Sequence, residues 1–152
     1  MPPPADIYKI NSDGSFDPSN RSGVWGFVVR DNCGEVLAAG AVMSPMQHHP
    51  CKLKPLQRIR ASPSCSTPCM TRIILEMDAT VLASALESRC TDRSAIVGLV
   101  HRIRDIMNVE FSFSTVSVCN RSCNKVAACL AFHGAFVLFS GSEMFMRQPQ
   151  TM

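Results

Sequence analysis

Two acidic side chains give this sequence its clearest chemical signal. Asp13 stands in Lys9-Ile10-Asn11-Ser12-Asp13-Gly14-Ser15-Phe16, and Asp78 in Ile73-Ile74-Leu75-Glu76-Met77-Asp78-Ala79-Thr80, where a β-patterned run ends and a helical one begins. Each has a plain structural role when taken alone: Asp13-Gly14 as a turn dipeptide, Asp78 as a helix N-cap. Taken together they differ, because carboxylates that end adjacent central strands point into one crevice. Two such charges ~4 Å apart repel by about 4 kcal/mol at an effective dielectric of about 20. A hard divalent cation between them removes that cost, and oxygen-only ligands suit Mg²⁺ or Mn²⁺.

The eight cysteines are the other candidates: Cys33, Cys51, Cys65, Cys69, Cys90, Cys119, Cys123 and Cys129. Cys65 with Cys69, and Cys119 with Cys123, could form the halves of a zinc site with His48 or His49 nearby. The first pair lies in Pro63-Ser64-Cys65-Ser66-Thr67-Pro68-Cys69, which lacks the glycine and aromatic framing of a zinc knuckle, so reduced thiols are the expected state. The start, Met1-Pro2-Pro3-Pro4-Ala5-Asp6, shows neither the basic nor the apolar region of a secretory signal. An intracellular location, nuclear or cytoplasmic, and no disulfide framework are therefore expected.

Elements that could position the two acids follow from periodicity. Alternation at Tyr8 and Ile10, and the β-branched and aromatic run Trp25-Gly26-Phe27-Val28-Val29, predict strands over 8–16, 24–30 and 35–43. Asp31-Asn32-Cys33-Gly34 supplies the turn that joins the second to the third. Further strands are expected over 72–76 and 110–118. Helices are expected over 78–88, with Val81, Leu82, Ala85 and Leu86 inward, and over 94–107, with Ile96, Leu99, Val100, Ile103 and Met107 in one stripe. A last helix over 122–136 should face Val126, Ala127, Leu130 and Ala131 inward. The order β-β-β, gap, β-α-α-β-α describes an α/β or α+β sheet with an antiparallel meander at one edge.

The chain has 152 residues, 46% of them apolar and 18% charged, with a formal net charge of +3. That is one domain with an ample core and only a mild bias toward polyanions. The most apolar stretch, 127–139, is interrupted by His133 and is short of the roughly 20 residues that span a bilayer, so no membrane is expected as partner. Between Ser44 and Leu75 lie Lys52, Lys54, Arg58, Arg60 and Arg72 with no acid, together with Pro45, Pro50, Pro55, Pro63 and Pro68. Each proline in a helix interior costs about 3 kcal/mol, so the stretch reads as an irregular basic insert over 44–70. Residues 1–6 read as a tail, 7–138 as the domain, and 139–152 as a disordered tail.

Several runs, in order and spacing, resemble the RNase H-like (RNase H type 1) domain of plant retroelements, where it accompanies reverse transcriptase. They are Tyr8 to Phe16, Gly23-Val24-Trp25-Gly26-Phe27-Val28-Val29-Arg30-Asp31, Gly34 to Gly40, Ile74-Leu75-Glu76-Met77-Asp78-Ala79, and Arg121-Ser122-Cys123-Asn124-Lys125-Val126-Ala127. The resemblance implies a five-stranded mixed sheet, antiparallel along strands 1-2-3 and parallel along 1-4-5, flanked by helices. It also implies metal-dependent hydrolysis of the RNA strand of RNA–DNA hybrids by four carboxylates, with Mg²⁺ or Mn²⁺ as cofactor. Asp13 and Asp78 match two of the four. Gly14, Ser15, Asn124 and Lys125 match positions expected to contact nucleic acid, and a monomer without protein partners is the expected state.

The other two carboxylates are missing. The family's glutamate belongs in a first helix that the proline-rich insert replaces, and Ala128 stands where the last carboxylate is expected, one turn after Asn124. The loop before the last helix carries Cys119-Asn120-Arg121 in place of a histidine. Impaired catalysis is the expectation, with a non-catalytic relic or interaction domain of retroelement origin as the alternative and a zinc module third. Glu76 is a conceivable substitute ligand if the strand stays regular to Asp78. Backbone phosphates would be gripped by Lys9, Arg21, Arg30, Lys52, Lys54 and Lys125. Without a first helix, Val28 and Leu37 would lie bare and stability would be marginal. Codons for His49 to Pro55, read two bases later, can encode Leu-Gln-Ala-Glu-Ala, the family's helix start, so a frameshift or splicing change is a ready origin for the insert.

Overall fold

The computed structural model describes residues 1–17, 22–45, 70–87, 97–137 and 144–147. Its elements are β1 (Tyr8–Asp17), β2 (Ser22–Arg30), β3 (Val36–Pro45), β4 (Arg72–Met77), α1 (Thr80–Glu87), α2 (Val97–Glu110), β5 (Phe113–Val118), a 3₁₀ turn (Arg121–Cys123), α3 (Lys125–Val137) and β6 (Met144–Arg147). They form one sheet in the order β5-β4-β1-β2-β3-β6. β1, β2 and β3 pair antiparallel, whereas β4 joins β1, and β5 joins β4, in parallel. The expected five-stranded mixed sheet is therefore present, with one strand added.

That strand is a correction. β6 lies inside the stretch expected to be a disordered tail, and it pairs antiparallel with β3 from Ala38↔Arg147 to Ala41↔Met144. Four residues are too few to show a periodicity, so only the open edge of β3 defines the strand. The insert expected over 44–70 is narrower than drawn, because Ser44 and Pro45 close β3 and Met70 is buried. Residues 46–69, including His48, His49, Cys51, Lys52, Lys54, Cys65 and Cys69, lie outside the described residues. The N-terminal tail is also better placed than expected: Pro3 is buried and the Met1 carbonyl accepts from Lys9 Nζ at 2.5 Å.

The sheet buries both faces because its strands alternate. Ile10, Phe27, Val29, Ala38, Ile73, Leu75 and Met77 pack with Ala83 and Leu86 of α1 and with Val100, Ile103 and Met107 of α2. The α2 stripe runs one turn further than the pattern suggested. Phe111 N donates to the Met107 carbonyl at 3.3 Å and the Phe111 ring is buried, so α2 takes Glu110 and β5 begins only at Phe113. Arg104, which lies off that stripe, caps α1 from the side: its Nε and Nη2 donate to the Leu86 and Ala85 carbonyls at 3.0 and 2.8 Å. Those carbonyls belong to the last turn of α1.

α3 covers the opposite face. Gly26 in β2 permits this, since a Cβ there would stand 2.1 Å from the Ala127 carbonyl oxygen and 2.4 Å from Ala131 N. Ala127 and Ala131 are correspondingly buried, but Val126, expected inward, is 49% exposed. The helix meets the sheet through its alanines because only small side chains allow so close an approach. Val28, which shares the Gly26 face by strand alternation, is fully buried, so it is not left bare by the altered first-helix region. The β2–β3 turn is as expected: Asp31 Oδ1 accepts from Cys33 N and Glu35 N at 2.9 Å each, and Gly34 takes φ 86°, which glycine adopts without strain.

Candidate functional site

Parallel pairing of β1 with β4 sets the site. The last paired rung joins Asn11 to Glu76, and two residues further along each strand stand Asp13 and Asp78. Side chains repeat every two residues, so Asn11 and Asp13 share a face with Glu76 and Asp78, the face that carries α3. The carboxyl ends of parallel strands are where open α/β sheets leave a crevice. Asp13 remains within β1, opposite Gly26, while Asp78 sits just past β4, and its side chain is 17% exposed.

The two acids sense one another. Burial is the main cause that holds the Asp13 carboxyl above its ordinary range; the Asp78 charge adds to it, while the Gly14 N–H and the Arg121 charge oppose. Gly14 N donates to Asp13 Oδ1 at 2.8 Å, which fixes that oxygen. Arg121 Nε lies 3.9 Å from Asp78 Oδ2. The two carboxylates are thus close enough to influence one another, with the exposed Arg121 guanidinium beside Asp78.

Both Glu76 oxygens are engaged within the sheet. Its Oε1 pairs with Lys9 Nζ at 2.6 Å, and its Oε2 accepts from Asn11 Nδ2 at 3.0 Å. Asn11 in turn accepts from Arg30 Nη1 at 3.4 Å. Lys9 and Arg30, expected as phosphate contacts, are therefore spent on a polar network within the sheet face; Lys9 is 8% exposed. Alternation in β1 explains this, because the same period that brings Asp13 to the crevice turns Lys9 inward.

Asn124 also departs from expectation. It is 1% exposed, so it cannot touch a nucleic acid strand; its Nδ2 donates to the Ser12 carbonyl at 3.0 Å and pins the start of α3 to the residue before Asp13. Its Oδ1 is buried without a protein partner. Lys125 and Gly14 are exposed, the Ser15 side chain lies outside the described residues, and Ala128, one turn past Asn124, is half-buried and offers no ligand atom. Arg21 also falls outside them.

Cys119, at the end of β5, is the neighbour on the other flank: its N–H donates to the Met77 carbonyl at 2.9 Å. Burial first, then the charges of Glu76, Asp78 and Cys123, push its thiol up. Among the described residues no three His, Cys, Asp or Glu side chains group to hold a metal, and Cys33, Cys119, Cys123 and Cys129 are free. Of the two cysteine pairs of the zinc reading, Cys65 and Cys69 lie outside the described residues. Asp13 and Asp78 would supply hard oxygen donors of the kind that suits Mg²⁺ or Mn²⁺.

Comparison with known structures bears on the fold. RNase H1 from the halophilic archaeon Halobacterium salinarum NRC-1 superposes with a TM-score of 0.67 at 16% identity, covering 86% of this chain and 98% of that one. The chain has an RNase H-like fold. The N-terminal RNase H domain of rv2228c from Mycobacterium tuberculosis, solved as a fusion with maltose binding protein, gives 0.62 at 15% identity, covering 89% and 97%. LC11-RNase H1, solved in complex with an RNA/DNA hybrid, gives 0.63 at 13% identity, covering 83% and 94%. Residues 64–134 match a family model described as reverse transcriptase-like. No curated protein matches the chain.

The residue the sequence reading missed in this RNase H-like domain is Arg121. It was visible only as part of a motif. Its signal was local: Asn120 followed by Ser122 is N-cap chemistry, and Asn120 Oδ1 accepts from Ser122 N at 2.9 Å and from its hydroxyl at 3.0 Å, which builds the turn that presents Arg121.

Proposed function

We propose that this RNase H-like domain binds nucleic acid, with RNA–DNA hybrid as its substrate class, and that it is a metal-dependent ribonuclease by descent with weakened catalysis. The observation that carries the reading is the placement of Asp13 and Asp78 on one sheet face, each two residues past the last β1–β4 rung, where burial first, with the Asp78 charge adding to it, raises the Asp13 carboxyl. LC11-RNase H1, which shares the fold, binds an RNA/DNA hybrid. The cofactor this donor set suits is Mg²⁺ or Mn²⁺, which when bound would activate water and stabilise the leaving oxygen of a phosphodiester.

The chain's own residues then have distinct tasks. Asp13, with one oxygen held by the Gly14 N–H, presents its other oxygen to the crevice, and Asp78 presents Oδ2 from the adjacent strand. Asn124 fixes α3 against β1 and so sets the depth of Asp13. Gly14 and Lys125, both exposed beside the crevice, line the approach of the strand backbone, with Ser15 next to Gly14 in sequence. Weakening follows from Ala128 and from Glu76 being bound to Lys9: even a lost supporting residue around a metal costs about 10- to 100-fold in affinity or activity.

A second reading, a non-catalytic interaction domain of retroelement origin, is favoured by one observation. No third carboxylate joins Asp13 and Asp78 among the described residues. A hybrid-cleavage assay with Mg²⁺ and with Mn²⁺, run beside Asp13→Asn, separates the two. Slow cleavage abolished by the substitution supports the nuclease reading. Hybrid binding at low salt without any cleavage supports the second, and cleavage that survives Asp13→Asn contradicts the site assignment.

A further inference from the structure

We infer that Arg121 is the stand-in cation of the Asp13–Asp78 pair, displaced when a divalent ion enters and then available to a phosphate of the nucleic acid. The inference deepens the reading above and rests on it. Other basic side chains near this face are committed elsewhere: Lys9 to Glu76 and the Met1 carbonyl, Arg30 to Asn11. Arg121 alone among the described cations is paired with Asp78, and its charge also bears on Asp13.

The geometry of that pairing is loose. At 3.9 Å, Nε to Oδ2 is longer than a hydrogen bond, and the Arg121 side chain is 88% exposed while that of Asp78 is 17%. The contact is a Coulomb attraction across the mouth of the crevice. The backbone below it is fixed: Asn120 caps the 3₁₀ turn, Cys123 N donates to the Asn120 carbonyl at 2.8 Å and Asn124 N to the Arg121 carbonyl at 3.1 Å. A long arm on a rigid base can leave Asp78 without any change of fold. A divalent ion carries twice the charge of a guanidinium and binds carboxylate oxygen directly, so it wins the position. The displaced guanidinium stays within an arm's length of the crevice, and its planar fork matches phosphate oxygens.

Competition and recruitment have opposite signs, which makes the idea testable on the full chain. In calorimetric titration with Mn²⁺ alone, Arg121→Gln should bind more tightly than the parent by up to about fivefold, the scale of an exposed ion pair removed, with the gain shrinking as salt rises. Arg121→Lys should behave as the parent, and in an Asp78→Asn background the gain should vanish. With an RNA–DNA hybrid and Ca²⁺ present, Arg121→Gln should bind more weakly, with a salt slope shallower by about one. A residue of merely structural importance would weaken both affinities together. Unchanged or weaker Mn²⁺ binding by Arg121→Gln, while the parent binds Mn²⁺, overturns this inference alone. If the parent takes up no Mn²⁺, the cation-site reading falls and this inference with it.

Discussion

Replacing Lys9 with methionine should destabilise the domain far more than an ordinary lysine substitution. Lys9 Nζ and Glu76 Oε1 are 2.6 Å apart, and their side chains are only 10% and 16% exposed. At an effective dielectric of about 20 the attraction at that distance is about 6 kcal/mol, most of it offset by the cost of taking both charges out of water. Removing one partner exposes that cost, because Glu76 remains largely buried and charged, with Asn11 Nδ2 as its remaining side-chain donor among the described residues. Loss of a single partner from a buried pair runs about 3–5 kcal/mol, which in a domain near this size lowers Tm by roughly 6–20 °C. Methionine keeps the apolar stem, so packing is retained. The double variant Lys9→Met/Glu76→Gln removes both charges and keeps an acceptor for Asn11, and it should recover most of the loss. Urea and thermal denaturation followed by circular dichroism give both numbers. A cost below about 1 kcal/mol for Lys9→Met would mean the pair behaves as an exposed one. A double variant as unstable as the single one would mean that packing, and not charge, sets the cost.

Three further outcomes are expected. Asp13→Asn should raise stability at neutral pH: the folded carboxyl lies above its ordinary range, so the ionised form costs stability that is lost as pH rises through that range, and the difference from the parent, under about 1 kcal/mol after solvent screening, should vanish in acid; an unchanged or steeper pH profile in thermal melts contradicts it. Gly26→Ala should cost about 3 kcal/mol or more, since its Cβ would meet Ala127 and Ala131 main chain and push α3 off β2, and a parent-like melting curve contradicts that packing. Sequencing the transcript from Val42 to Arg72 should reveal a shifted frame or altered splice with Glu coded across Leu53 and Lys54; an unbroken frame shared with close relatives removes that origin for the proline-rich stretch.

Periodicity made most of this fold legible before any coordinates. Strands with strong alternation, such as Tyr8–Asp17, and the stripe Val100, Ile103, Met107 announce themselves because each buries one face against a single neighbour. β6 did not, because four residues paired to an edge need no pattern of their own. The orientation of α3 was half legible: Ala127 and Ala131 face inward as expected, but Val126 yields to the close approach at Gly26, a constraint set by another element. The placement of Asp13 and Asp78 on adjacent parallel strands was readable from the strand pattern, although Asp13 lies within β1 and not at its end. The fates of Lys9, Glu76 and Asn124 were not, since each depends on a partner in a distant part of the sequence, Lys9 on Glu76 and Asn124 on Ser12. Charge type suggests a phosphate contact wherever a lysine occurs; only the register of β1 against β4 shows that this lysine is turned to a glutamate.

The most direct measurement is an anomalous difference map from crystals of the full chain grown with Mn²⁺. A peak bound by Asp13 and Asp78 oxygens just past the last β1–β4 rung, lost in Asp78→Asn, is the expected result. No peak at saturating Mn²⁺, or one elsewhere with these two side chains turned apart, would contradict the cation site on which the proposed function stands.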